Sequence, residues 1–412
     1  MIIMDKIKYS DKKILYLLYA YSFFAGMGIE MPFIYLSGNF GIGEILFFAV
    51  IFLIFANDRS LKLHWIFVIP IIMGTISMLS FFNAVFFDSI YVDAFGYILR
   101  FYFYSLMFVV YYTYTSTLKV MFNHMKFMIY GTCMFLLFSW ITFFIEGGRY
   151  FGGLPVLAFL VDVNANTQAF YYSLASILTV TLLYYNAISV FRGSVLLVLL
   201  LGSDFLTLSK TGWVSIIIIF MVILLLLFKR KSKILVLSTI SSCFLVIYFN
   251  LDIISRVISS RLSSSSVSNQ GRLDLIMNGI SIWSEFPIFG AGPKTFFYRL
   301  SEYGNDLHPA TAHDAHHAFI NILAEIGIIS FLLLLILWGY SLVVSVDLYR
   351  YKYSLKGLNL FFFTTIFILL LWSNATGLIY SDKIPWLLLA FLFSYKKMLR
   401  HGKIDNYYSK LK

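Results

Sequence analysis

Charge is scarce in this chain: Asp, Glu, Lys and Arg make up 12% of its 412 residues, against about a quarter in a soluble domain. Hydrophobic residues reach 60% and mean hydropathy is +0.85. A water-soluble domain is excluded, because no internal core could hide that much apolar surface. The bilayer must act as the solvent. Cysteine is nearly absent. The two present, Cys133 and Cys243, sit inside apolar runs, which argues against a disulfide framework or a thiolate metal site. The first apolar segment, from about Ile14, lacks a small-residue cleavage site and reads as a first span rather than a signal peptide. No internal repeat is evident.

Acidic residues are fewer than basic ones, 20 against 31, giving a formal net charge of +11. In a soluble protein this would point to nucleic acid. In a membrane protein it is topological, because cytoplasmic loops collect Lys and Arg, and no nucleic-acid partner is expected. What the chain has in abundance is aromatic: 44 Phe and 29 Tyr. Tyrosine suits the membrane interface, with an apolar ring and a wet tip.

A span needs about 20 mostly apolar residues. The sequence predicts about twelve: 14–36, 41–56, 63–86, 94–115, 126–146, 166–187, 190–207, 211–228, 233–250, 317–346, 358–379 and 383–398. With the N-terminus inside, alternation places most basic residues in inside segments, including Lys229-Arg230-Lys231 and the C-terminal Lys396, Lys397 and Arg400. Asp88, Asp93, Glu146, Asp162, Asp204 and Asp382 then fall outside. The expectation is an all-α polytopic protein of a plasma membrane, with both termini cytoplasmic. Nine spans fill 1–250, a large partly helical outer loop covers 251–316, and the last three spans with a basic tail fill 317–412.

Arg256, Arg261, Arg272, Lys294 and Arg299 share that outer loop, where the topological rule gives positive charge no reason to be. A solvated mixed-charge loop and an anion site are both open readings, since Asp252, Asp274, Glu285 and Glu302 accompany them. Within the loop, 259–270 is Ser-rich and expected to be flexible. Residues 272–283 have helical spacing, with Leu273, Ile276, Ile280 and Trp283 on one stripe. Pro287 and Gly290-Ala291-Gly292-Pro293 then force a turn.

The densest polar constellation is His308 and His313-Asp314-Ala315-His316-His317, followed by Glu325. With a helix from about Asp314, His313, His316 and His317 would share one face, and Glu325 would lie about 13 Å further along. A carboxylate at that depth is costly and marks a functional hypothesis, or else a buried Glu bonded to a neighbouring span. Histidine can take a proton from a hydroxyl near neutral pH. A zinc site from three imidazoles is the other reading, without an obvious fourth ligand. Two further groups face the same side. Lys210, in Ser209-Lys210-Thr211-Gly212, binds a phosphate or simply snorkels. Asp162 and Asn164 bind substrate or cap the next helix. Of the basic residues that this alternation leaves outside the inside segments, Arg100 is the one within a span. Cations and imidazoles at a bilayer surface fit a lipid-linked diphosphate and attack by a sugar hydroxyl.

Gly271-Arg272, Trp283, Pro287, Gly290-Ala291-Gly292, His316, and Ala324-Glu325-Ile326-Gly327 resemble, in that order, the signature of the O-antigen ligase and O-antigen polymerase superfamily. Asp162-Val163-Asn164-Ala165 is similar to its Asp-Pro-Asn segment and Ser209-Lys210-Thr211-Gly212 to its Ser-Arg segment. His317 replaces the family's Asn, Lys210 its Arg and Val163 its Pro. The resemblance covers about residues 160–330. It implies a GT-C-like helical fold and metal-independent, cofactor-free glycosyl transfer from an undecaprenyl-diphosphate-linked sugar on the outer face of the bacterial inner membrane. The implied partners are lipid-linked donor and acceptor glycans, membrane lipid and a chain-length regulator protein. The implied catalytic residues are His316, His317 and Glu325. Arg272, Lys210, Arg256, Arg299, Lys294, Asp162, Asn164 and Arg100 would bind diphosphate or sugar. Short flanking loops favour a polymerase of repeat units over a ligase to lipid A core. A flippase, with Arg100 as its main support, and a metal-dependent hydrolase are the rivals.

Overall fold

A lipid-embedded main chain must satisfy its polar groups internally, and an apolar run of about twenty residues does so as a helix. The computed structural model describes residues 9–27, 42–84, 91–145, 149–151, 154–156, 165–227, 255, 259, 265–300, 315, 317–351, 355–374 and 382–401. Within these, the helices are α1 (Tyr9–Met27), α2 (Ile42–Ala56), α3 (Val68–Ser80), α4 (Tyr91–Tyr114), α5 (Leu118–Ile145), α6 (Ala165–Tyr184), α7 (Val190–Leu206), α8 (Lys210–Leu227), α9 (Ser265–Glu285), α10 (Phe296–Leu300), α11 (Ala318–Asp347), α12 (Lys356–Ser373) and α13 (Lys383–Arg400). Short 3-10 turns, Trp65–Phe67 and Phe81–Ala84, flank α3. One antiparallel hairpin, β1 (Arg149–Phe151) with β2 (Leu154–Val156), interrupts the helices; no sequence signal anticipated it. The described parts of the expected apolar segments overlap helices; 233–250, and with it 28–36, 85–86 and 375–379, lie outside the described residues. Among the described residues, five helical stretches are long and apolar enough to cross a membrane, and Ile42–Ala56 and Lys210–Leu226 are shorter apolar helices.

The helices pack as a bundle with two distinct ends. α1 crosses α5 where Gly26 and Gly131 face backbone of the other helix so closely that a Cβ on either would collide; small residues let helices approach in this way. At one end, here the rim, Tyr171 of α6 donates to Asp382 at 2.8 Å. There the Trp372 indole of α12 also reaches Ser215 of α8 at 3.2 Å. The starts of α2, α4, α6, α8 and α13 and the ends of α3 and α12 gather there. At the other end, the base, Lys396 of α13 meets Asp347 of α11 at 3.7 Å. The Tyr395 and Tyr185 hydroxyls accept the first N–H groups around α12, those of Leu355 at 2.8 Å and Leu358 at 2.9 Å.

α11 is 30 residues long, about 45 Å by the helical rise, and so exceeds one hydrocarbon core of about 30 Å. It is not continuous. Gly327 interrupts it with φ 81° and ψ −179°. From Ile328 to the end of the adjoining 3-10 turn at Arg350 the chain covers about 34 Å, one bilayer core. The turns before Gly327 stand level with the last turn of α3, through Ser80.

Two sequence expectations change here. The Ser-rich stretch expected to be flexible is helical from Ser265, because Ser and Gln cost only tenths of a kcal/mol once a helix is propagating. The stripe of Leu273 and Ile280 is not the face α9 buries: these two are exposed, while Leu275, Gly279 and Ile282 are buried. Beside lipid, an apolar stripe has no obligation to turn inward, so periodicity identifies the helix without identifying its packed side.

Candidate functional site

The site grows from the meeting of two glycine-containing segments 35 residues apart in sequence. Gly327 breaks α11 and so releases carbonyls of the preceding turn. The turn after α9 supplies their donors. Ala291 N–H bonds to the Ala324 carbonyl at 2.8 Å, and Gly292 N–H to the Glu325 carbonyl at 3.0 Å. In return Ile328 N–H bonds to the Pro287 carbonyl at 3.0 Å. Gly290 has φ 77° and packs against the Glu325–Ile326 peptide, while Gly327 packs on the Ile288 carbonyl. Both need the left-handed region and bare backbone, which only glycine supplies without strain. The end of α3 and the 3-10 turn after it lock the joint: Ser80 Oγ donates to the Glu325 carbonyl at 2.7 Å and Asn83 Nδ2 to the Gly290 carbonyl at 2.8 Å.

The Glu325 side chain is buried and belongs to the same joint. Its Oε1 accepts the Phe296 N–H at 3.3 Å, at the start of α10. Thr295 Oγ1 donates to the Gly292 carbonyl at 2.6 Å and closes the turn between them. Of the two readings the sequence left open, bonding to a neighbouring segment is what the geometry displays for Glu325.

The joint fixes the direction of α9. Gly279 lies against Ile320, and Pro287 bonds to Ile328, so α9 runs parallel to the first turns of α11 with constant offset. Arg272, seven residues before Gly279, therefore lies about 10 Å further toward the rim, beyond the start of α11 at Ala318. It is half-buried. His317 caps α11 at that same end. It is extended, with φ −147° and ψ 106°, and its Nδ1 accepts the Ile320 N–H at 3.4 Å. The expected helical face shared by the histidines needed a helix from Asp314. The helix starts at Ala318 instead, with His317 as its cap, and the buried Asn321 accepts the Ala315 N–H at 2.7 Å. Burial lowers the His317 pKa from the ordinary histidine value, a hydrogen bond opposing it in part. A neutral ring whose Nδ1 accepts carries its proton on Nε2.

At the rim beside α6, the Ser209–Gly212 motif meets the first turn of that helix. Ser209 Oγ donates to Asn166 Oδ1 at 2.8 Å and accepts the Gly212 N–H at 3.2 Å. Gly212 sits against the buried Asp204 carboxylate and Ala169, so a side chain there would push α8 off α6. Lys210 opens α8 with its side chain exposed. Two of the other expected cations, Arg299 and Lys294, lie over aromatic rings. The Arg299 guanidinium lies over the Phe286 ring, 4.8 Å from its centroid, and donates to the Asn83 carbonyl at 3.4 Å. Lys294 reaches over the Tyr97 ring at 5.6 Å. Asp162, Asn164, Arg256, His308, His313 and His316 lie outside the described residues.

A charged group that sequence reasoning missed stands deeper at the rim. Lys383 Nζ and Glu44 Oε1 pair at 3.1 Å, both buried. Next to them Asp382 accepts the Tyr171 hydroxyl and the Ile384 N–H, each at 2.8 Å, within electrostatic reach of Arg100. Arg100 is thus set against a carboxylate of α13's N-cap rather than standing alone in its span. Glu44 and Lys383 are 339 residues apart in sequence, and no local pattern links them. Among the described residues no group of three His, Cys, Asp or Glu could hold a metal ion.

Apolar helices long enough to cross a bilayer, with a helix-turn segment clamped onto one end of them, define a multi-helix membrane protein carrying its polar site at a rim. Residues 195–335, about a third of the chain, match the family model described as O-antigen ligase, which supports the resemblance to the O-antigen ligase and polymerase superfamily. The match takes in Ser209–Gly212, α9, the Gly290–Gly292 turn and the Gly327 break. No curated protein matches the chain.

Proposed function

We propose that this protein polymerises undecaprenyl-diphosphate-linked oligosaccharide repeat units on the outer face of a bacterial inner membrane. The observation that carries the reading is the parallel clamp of α9 on α11, which directs Arg272 and the His317 cap toward the same end of the bundle. In this reading the rim is extracytoplasmic, both termini are cytoplasmic, and about twelve spans form a GT-C-like frame. The outer loop 251–316 covers a cavity between spans 1–250 and 317–412. The basic character of the base, with Arg350, Lys396, Lys397 and Arg400, supports that orientation.

The transfer needs no metal or cofactor. The acceptor sugar hydroxyl loses its proton to His316 and its oxygen attacks the anomeric carbon of the donor. The bond from that carbon to the diphosphate oxygen breaks, and the electron pair leaves with the undecaprenyl diphosphate. Arg272, as a bidentate donor, and Lys210, as a point charge, stabilise the leaving group. Nε2–H of His317 is a donor and not a base, so it orients a diphosphate or sugar oxygen. Glu325 positions the turn. Arg256, Asp162 and Asn164 complete the substrate contacts, while Arg299, Lys294 and Arg100 shape the walls. Water must be excluded, or hydrolysis would compete. A chain-length regulator would bind the spans from outside.

Polymerase is favoured over ligase by the short loops flanking the spans, and the two differ in acceptor alone. The test is the polysaccharide of cells carrying His316→Ala. Single repeat units on the core, with protein still in the membrane, are expected. Normal polymer lengths would remove His316 from the mechanism, and bare core with accumulating lipid-linked polymer would make the protein a ligase. Arg272→Lys should cut activity about tenfold or more if the fork geometry matters.

A further inference from the structure

The base holds a cavity of about 100 Å³, lined by His64, Tyr112, Tyr340, Lys396, Lys397 and Arg400, with Phe393 and His401 closing it. Among the described residues no acidic side chain lines it. Three cations from the last turns of α13 converge here. Lys396 shares the Asp347 carboxylate with Arg350 and lies 5.8 Å from the Tyr340 ring centroid. Lys397 stands 3.9 Å over the Tyr112 ring and donates to that residue's carbonyl. Arg400 reaches the Tyr351 hydroxyl through Nε at 3.4 Å and is otherwise exposed. Of these cations only Lys396 is shown against a carboxylate, that of Asp347, which it shares with Arg350. The His64 ring lies 4.7 Å from Phe393 and 5.4 Å from Tyr112, and its Nδ1 accepts the Ile66 N–H. Burial, then Lys396, Arg400 and Lys397, lower its pKa to about 4; the imidazole is neutral, with Nε2–H left as a donor.

We propose that this cavity holds the phosphate group of an anionic ligand. Lysine, arginine, imidazole and phenol donors on one small concave wall are the donor set that a phosphate oxygen cluster matches. The volume admits a phosphate headgroup and excludes acyl chains, which would lie along the exposed apolar flanks of the helices. Along α13 the cavity's cations, Lys396 to Arg400, stand about 21–27 Å from Asp382, most of one hydrocarbon core, so the cavity sits toward the opposite membrane surface from the rim. Basic pockets between spans at such a surface suit anionic lipid headgroups. A phosphate ester dissolved in the adjoining water carries the same chemistry.

The experiment uses the full chain purified in uncharged detergent and calorimetric titration with dihexanoyl phosphatidylglycerol, dihexanoyl phosphatidylcholine and inorganic phosphate. Saturable binding of phosphatidylglycerol is expected, weakened about tenfold by Lys396→Gln or Arg400→Gln. Arg192→Gln, an exposed cation at the start of α7, should leave it unchanged. Inorganic phosphate that binds at the same site as tightly as phosphatidylglycerol would assign the site to a soluble phosphate; much weaker binding assigns it to lipid. Phosphatidylcholine binding as tightly as phosphatidylglycerol, absence of saturable binding by both anions, or equal losses in all three variants would overturn the proposal. Unchanged melting temperatures in the variants would separate lost binding from lost folding.

Discussion

Glu325 receives the Gly292 N–H on its carbonyl at 3.0 Å and the Phe296 N–H on its carboxylate at 3.3 Å. One residue thus holds both ends of the turn that follows α9. The helix break at Gly327 makes this possible, because an intact helix would have used that carbonyl itself. The orientation of Arg272 toward the rim depends on the joint holding.

Gly327→Ala is the most direct test of the joint. It forces a side chain into the left-handed region and onto the Ile288 carbonyl. A loss of about 1–3 kcal/mol is expected for the backbone strain alone, read as a lower melting temperature and faster proteolysis between α9 and α11. Unchanged protection would mean that the break is dispensable.

Glu325→Gln keeps an oxygen for the Phe296 N–H but removes the charge. It should retain most chain-lengthening activity, whereas Glu325→Ala should lose it together with stability, since a buried donor left unpaired costs about 1–3 kcal/mol. If Gln and Ala variants are equally inactive while both remain folded, the carboxylate acts in the chemistry and not through the turn.

The pH dependence of His317 has a definite sign. Its folded pKa lies below the unfolded value of about 6.5, so the unfolded chain binds the proton more readily. The stability contribution is complete above about pH 6.5 and declines as pH falls below it, because protonation removes the Nδ1 acceptor of the Ile320 N–H. Melting temperature measured from pH 7 to pH 5 should drop more in the native protein than in His317→Asn, where the cap survives without titrating. Parallel curves would show that His317 is not the group responsible.

Lys383→Ala takes from Glu44 its buried ion-pair partner, and a loss of about 3–5 kcal/mol is expected. The double variant Glu44→Leu with Lys383→Met should recover much of it, since apolar replacement of a buried pair is often neutral. A double variant as unstable as Lys383→Ala would indicate that the charges have further partners at the rim.

The helices were legible because apolar runs of span length have few alternatives in lipid. The elements of the site were legible as well: Gly290-Ala291-Gly292, Glu325 and Gly327 stand out by residue type. Their mutual bonding was not, because a helix break donates its carbonyls to whatever lies beside it, and only the fold says that this is the turn after α9. The packed face of α9 was hidden for a related reason. Leu273 and Ile280 carry as strong a periodic signal as Leu275 and Ile282, and lipid accepts either pair. Glu44 with Lys383 left no trace, since each alone reads as an ordinary charge near the end of a span. Asn321 stands in an apolar run with no local pattern that links it to the Ala315 N–H it accepts.

Parallel neighbours could slide past one another along their common axis without losing side-chain contact. The main-chain bonds from Ala291 and Gly292 to the Ala324 and Glu325 carbonyls act as a stop against that sliding, so the relative height of α9 and α11 is set by backbone and not by the apolar side chains between them.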